Sequence, residues 1–335
     1  MTGQAIGVKQ FEKLEKTRYV LNADVLFDSN VIRANDPAAE QRLLALSALL
    51  VEKPDRGHIW FSLTSLAELL GPDDASKRVE LLKRFQNLYR QFGDRVRFFG
   101  PGPFSFVVAE WGDKGPMYSP ANAVDDDVCA SIAAGDLVGS LRLARQSWEI
   151  ERARLWQVHA DKVKRYRAAY ESDQVFRDEF KRNVELLGTA NALEQCDDIA
   201  RSLIIDHAKR SESALGEAKA NPQNYPCTWT YSLLVRIADY SATLKKSEWK
   251  AKYSRYGRLL KSDENDYVDA YIAATGGGCG MIITNDGGLV DKVNFLHDAE
   301  PSLVRLQGFT VRDAVIAYNP PNGDKRDRSK PIPGV

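Results

Sequence analysis

The pattern of apolar and polar positions divides this chain into three regions. Between about 20 and 110, short apolar runs take turns with amphipathic segments. Asp24–Asp28, Ile59–Leu63 and Arg95–Phe99 predict buried strands. Pro37–Val51, with apolar Leu43, Leu44, Leu46, Leu49 and Leu50, and Lys77–Phe92, with Val79, Leu81, Leu82, Phe85 and Leu88 at helical spacing, predict helices. Ser65 is placed to cap a further helix that carries Glu68. From 111 to 261 the strand signal disappears, and long helical stretches take over at Leu137–Tyr170, Gln174–Leu187 and Tyr231–Leu244. From 262 to 315 the alternation returns. Ser262 or Asp263 caps a helix running through Asp269 to about Thr275, and Gly276–Gly280 reads as its C-cap and turn. Met281–Thr284 and a segment within Ser302–Val311 are strands, with a short helix at Leu289–Phe295 between them.

This order predicts an α/β fold in which a central parallel sheet carries helices on both faces and an all-α insertion interrupts it. The expected units are a discontinuous sheet domain, 20–110 plus 262–315, and a helical insertion, 111–261. The tail, 318–335, is rich in Pro, Gly and charge and reads as disordered. The chain has 335 residues, 46 basic and 46 acidic, so overall charge selects neither a polyanionic partner nor its opposite. Four scattered cysteines make no CxxC pair or disulfide framework, which fits a cytoplasmic location. No run is long and apolar enough to cross a bilayer, so no membrane partner is expected.

The chemistry lies at the ends of the apolar runs. Asp28, Glu68, Asp269 and Asp286 each follow such a run or open the next helix, so all four are expected at the carboxyl edge of the sheet, where ligands of open α/β sheets gather. Two like charges about 4 Å apart repel by about 4 kcal/mol at an effective dielectric of roughly 20. A hard divalent cation, Mg²⁺ or Mn²⁺, relieves such crowding. Asp266 precedes Asp269 by one helical turn and shares its face, as an extra ligand or as the third acid in its place.

These residues resemble the PIN domain, a nuclease family with a parallel sheet and an acidic cluster. The first family acid, followed by a small polar residue, matches Asp28-Ser29-Asn30. The second, a Glu in the helix after strand two, matches Glu68. The third opens an Asp-Ala-x-Ile-Ala-Ala helix, matching Asp269-Ala270-Tyr271-Ile272-Ala273-Ala274. The fourth follows a strand as Thr-x-Asp, matching Thr284-Asn285-Asp286. The likeness covers about half the chain, and the middle helices have no counterpart in the minimal family domain. It implies metal-dependent endonucleolytic hydrolysis, of RNA above all, in a toxin or defence effector. Asp28 and Asp269 are the direct ligands it implies. Glu68 and Asp286 would act through water, and Ser29, Asn30 and Thr284 would bond the acids or the scissile phosphate. An inhibitory protein partner and a homodimer are further expectations of the resemblance.

Other features carry less. Lys250, Lys252 and Arg255 interleave with Trp249, Tyr253 and Tyr256, a pattern suited to phosphates and unpaired bases and equally to a solvated amphipathic helix. Asp125-Asp126-Asp127 reads as a helix start, and His58, His159, His207 and His297 show no ligand spacing. An aspartyl-phosphate phosphatase would need a second Asp where Asn30 stands. A non-catalytic PIN-like binding module and a DNA-directed nuclease are the remaining alternatives.

Overall fold

Short, mostly apolar runs form the strands, and five of them pair in parallel in a computed structural model of the chain. The structure describes residues 24–34, 36–51, 57–70, 74–99, 104–112, 137–187, 190–244, 265–299 and 303–318. Strands β1 (Val25–Phe27), β2 (Ile59–Ser62), β3 (Val96–Phe99), β4 (Met281–Ile283) and β5 (Gln307–Phe309) lie in the order β3-β2-β1-β4-β5. The chain builds outward from β1 to β3, then returns to the other side of β1. The topological switch point therefore lies between β1 and β4.

Register sorts the strand residues into two faces. Val25 pairs with Ile59 and Met281, and Phe27 with Phe61 and Ile283. These side chains share one core with α2 (Pro37–Val51), α4 (Ala75–Phe92) and α13 (Val311–Tyr318). The alternate residues Leu26, Trp60 and Ile282 point to the other face. That face is covered by α6 (Leu137–Ser172), α10 (Pro226–Thr243), α11 (Asp266–Thr275) and α12 (Gly287–Ala299). The remaining α-helices among the described residues are α1 (Ser29–Arg33), α3 (Leu63–Ala67), α5 (Ser105–Glu110), α7 (Gln174–Leu186), α8 (Asp197–Ser202) and α9 (Ser213–Ala220). The helical stretch between β3 and β4 is thus an insertion in chain order and a layer in space. Its Trp148, Leu155, Trp229 and Ile237 share one core with Leu26, Trp60 and Ile282.

Burial across the layers is secured by one unusual cap. Helix α10 begins at Pro226, whose missing N–H suits the first turn, and no side chain of its own caps it. Glu110, at the end of α5, accepts from Cys227 N at 2.6 Å and Thr228 N at 2.8 Å, and from the Thr228 hydroxyl. A carboxylate from another element thus satisfies the first amides of a helix buried along its whole length. Burial still pushes the Glu110 carboxyl up to about 7.

Two local readings change. Ser65 lies inside α3, and Ser62 takes the cap position, accepting from Ser65 N. Helix α11 starts at Asp266 with Asn265 before it, so Ser262 and Asp263 fall outside the described residues. Gly276 does close α11, but at φ −96°, not in the left-handed region. The glycines there permit close approach: a Cβ on Gly276 would sit 2.5 Å from Leu26 Cδ2, and one on Gly277 2.8 Å from Cys227 Cα.

Candidate functional site

The carboxyl edge of β1 and β4 collects the predicted acids. Asp28 follows β1 directly and is 5% exposed. Its two oxygens are held by residues that follow the two neighbouring strands: Ser65 Oγ, in α3 after β2, donates to Oδ1 at 3.2 Å, and Thr284 Oγ1, just after β4, donates to Oδ2 at 2.9 Å. Thr284 in turn accepts from Asn30 Nδ2 at 2.8 Å and from Asp286 N at 3.0 Å. Asn30 Oδ1 takes Asn285 N at 2.8 Å. The loops leaving β1 and β4 are therefore stitched together through Asn30 and Thr284, with Asp28 at the centre.

Glu68 follows α3 and accepts from Ser29 Oγ at 2.7 Å. Arg33 stands 3.7 Å from the same oxygen, and the Glu68 side chain is 15% exposed. Asp286 uses Oδ1 to accept from Gly288 N at 2.6 Å and Leu289 N at 3.1 Å, fixing the start of α12. Asp269 lies in the first turn of α11, half-buried. That helix is pinned on both sides of it: Tyr267 Oη donates to buried Asp239, which Lys162 meets at 2.8 Å, and Tyr271 Oη accepts from Phe104 N at 3.2 Å.

The acids feel one another. Burial, then the Glu68 charge, pushes Asp28 up to about 6 against the hydrogen bonds of Thr284 and Ser65. Asp269 is raised well above the ordinary carboxylate value by burial, then by Asp286, with Asp28 and Asp266 adding to the effect and Lys292 opposing it. All donors are hard carboxylate oxygens, a set that suits Mg²⁺ or Mn²⁺ and not a soft metal. Among the described residues no three His, Cys, Asp or Glu side chains close into a ready metal cage. Such a cage is not what Mg²⁺ requires, since it keeps several waters and takes one or two carboxylates.

Not every predicted residue has the environment expected. Asp266 is buried in an ion pair with Lys292 of α12, so its Oδ1 is already occupied. The Ser29 and Thr284 hydroxyls are directed at Glu68 and Asp28, and Asn30 holds Thr284 and Asn285. Lys250, Lys252 and Arg255 lie outside the described residues, as do Asp125, Asp126 and Asp127. His159 and His207 stack on Tyr267 and Phe104, His297 meets Val304 O and Gln307, and His58 lies beside Asp24. Sequence reasoning missed Ser65 as a partner of Asp28, Arg33 as a partner of Glu68, and Lys292. Ser65 stands 37 positions from Asp28, and Lys292 sits on a helix with nothing local to mark it. No described helix is long and apolar enough to cross a membrane. No family model matches the chain, and no curated protein or solved structure matches it.

Proposed function

We propose that the protein is a metal-dependent endonuclease that hydrolyses phosphodiester bonds in RNA, using Mg²⁺ or Mn²⁺ at the carboxyl edge of β1 and β4. The observation that carries this reading is the placement of Asp28. It is a buried carboxylate at the topological switch point, gripped by Ser65 and Thr284 and coupled electrostatically to Glu68 and Asp269. Asp28 and Asp269 would hold the ion, with Glu68 and Asp286 reaching it through water. When bound, the ion supplies a lowered pKa for attacking water and neutralises charge on the phosphate.

The chain's own residues do the rest. Ser65 and Thr284 fix the Asp28 carboxylate by donating to one oxygen each, which presents its remaining lone pairs in a set direction. Ser29 fixes Glu68 in the same way, leaving Oε1 to accept a proton from water. Asp286 keeps Oδ2 clear of the Gly288 and Leu289 amides that occupy Oδ1. RNA as substrate, and a toxin or defence role, rest on the resemblance to PIN domains.

A second reading, a non-catalytic PIN-like binding module, draws on the absence of a closed cage among the described residues. Purified protein incubated with total RNA, tRNA and single-stranded DNA separates the two. We expect cleavage of RNA with Mg²⁺ or Mn²⁺, none with chelator, and a loss of about 100-fold or more in Asp28→Asn, the scale of removing one charged group from a catalytic centre. Intact substrates under every condition would leave the binding module. Cutting confined to DNA would redirect the assignment to a DNA nuclease.

A further inference from the structure

Outside the acidic cluster, the backbone departs from its ordinary conformations around one side chain, His207. Among the described residues, two that bear side chains adopt left-handed backbone, Phe104 at φ 52° and Lys209 at φ 56°. For a phenylalanine or a lysine that is an outlier, kept where the surroundings over-determine it. Leu203–His207 adds a single π-helical turn, a local widening that recurs at functional sites. His207 stands where all three meet. It ends the π-turn, Lys209 follows two residues later, and the Phe104 ring lies against its imidazole with centroids 4.1 Å apart.

Phe104 is a fixed floor. Its amide donates to Tyr271 Oη at 3.2 Å, and its ring packs edge-on against Tyr231 and Tyr271. Arg154 of α6 reaches over the same ring, 5.7 Å from its centroid. Three basic side chains, Arg154, His207 and Lys209, therefore converge. The nearby acids are already engaged. Glu151 takes Arg154 Nε on both oxygens at 3.1 Å and Nη2 at 2.5 Å, and Asp206 takes the Ser202 hydroxyl at 2.6 Å. Among the described residues, Arg154 Nη1, the His207 ring nitrogens and the Lys209 ammonium are left without a hydrogen-bond partner. Arg154 and Lys209 are exposed and His207 is half-buried, so these donors can be reached from solvent.

The three groups also repel. Burial, then the Arg154 charge, holds the His207 imidazole below its ordinary value; Lys209 acts in the same direction, and Glu151 and Asp206 oppose it. An anion among them relieves that repulsion. Donors arriving from separate elements suit an oxyanion that offers several strong acceptor oxygens.

We propose that Arg154, His207 and Lys209 form a binding site for a phosphate group, carried by inorganic phosphate or by a phosphomonoester such as a mononucleotide, with Phe104 as its floor. The site owes nothing to a metal ion and stands apart from the nuclease reading. Binding involves no covalent step.

Nuclear magnetic resonance of the full chain with labelled histidines tests this, the His207 signals being assigned with His207→Gln. The probes are inorganic phosphate, 5′-AMP and, at matched ionic strength, chloride. Phosphate or AMP is expected to shift the His207 ring signals saturably and to raise the apparent pKa of the imidazole, since a bound anion favours its charged form. Tighter binding of AMP marks a phosphomonoester as the ligand; equal or weaker binding marks inorganic phosphate. Lys209→Gly removes one cation and relieves the left-handed backbone. It is expected to unfold no earlier than wild type and to bind phosphate about tenfold more weakly, the scale of one charge-assisted hydrogen bond. Lys209→Asn, which tolerates the same conformation, serves if the glycine variant fails to fold. No saturable shift with either probe, the same shift with chloride, or undiminished affinity in the Lys209 variant would overturn the proposal.

Discussion

Asp28 is an acid kept in place at the expense of stability. Its carboxyl is pushed from the ordinary value of 3.8 up to about 6, by burial and then by Glu68. The folded state therefore holds this proton more tightly than the unfolded chain does. Stability from this group is present in full below about pH 4 and is lost as pH rises through about 6. We expect the metal-free protein to be weaker at pH 8 than at pH 5 by on the order of 1 kcal/mol from Asp28 alone. Urea denaturation at the two pH values checks this, and Asp28→Asn should show the smaller difference. Saturating Mg²⁺ should raise the midpoint more at pH 8 than at pH 5, because protons compete for the same oxygens. At this scale the sequence was informative about which acids matter, since each stands at the end of an apolar run. It was silent on their partners. Lys292 meets Asp266 across 26 positions and Ser65 meets Asp28 across 37, separations that no local pattern encodes.

Among the elements, the helix ends hold most of what periodicity could not supply. Strand positions and the main helices of the sheet layer follow from apolar spacing, and their observed limits differ from the expected ones by a residue or two at most ends. Helix α10 departs furthest: expected from Tyr231, it begins at Pro226. Its cap comes from Glu110, more than a hundred residues earlier, so the local sequence carries no cap signal. Glu110→Ala removes the acceptor for two buried amides and a hydroxyl. We expect a loss of about 1–3 kcal/mol, the range for buried donors left unsatisfied, read as a lower denaturation midpoint with an unchanged slope. The glycine run after α11 teaches the same lesson. It was legible as a helix end, but its reason, contact of Gly276 with Leu26 and of Gly277 with the α10 backbone, exists only in the packed layers.

For the molecule as a whole, the helical stretch between β3 and β4 is a wall of the core. Leu26, Trp60, Phe99 and Ile282 bury their side chains against helices drawn largely from 137–244 and 265–299. Chain order suggested a sheet domain interrupted by an insertion, and that order is what is seen. The sharing of one core was not legible, because apolar helix faces do not name the surface they cover. Replacing residues 113–244 with a short flexible linker would expose that sheet face. We expect such a chain to lack a cooperative unfolding transition by circular dichroism, whereas a self-contained insertion would leave the remainder folded.

The switch point between β1 and β4 also sets a schedule. Asp28 leaves the ribosome well before its neighbours Asp269 and Asp286 and before β4, one of the two strands that pair with β1, since Thr284 meets Asp28 across 256 positions. Synthesis runs at roughly 5–20 residues per second. Throughout that interval a growing chain bears at most half of the acidic cluster, so the nuclease proposed above would be inert toward the message and ribosome producing it until the later acids are made.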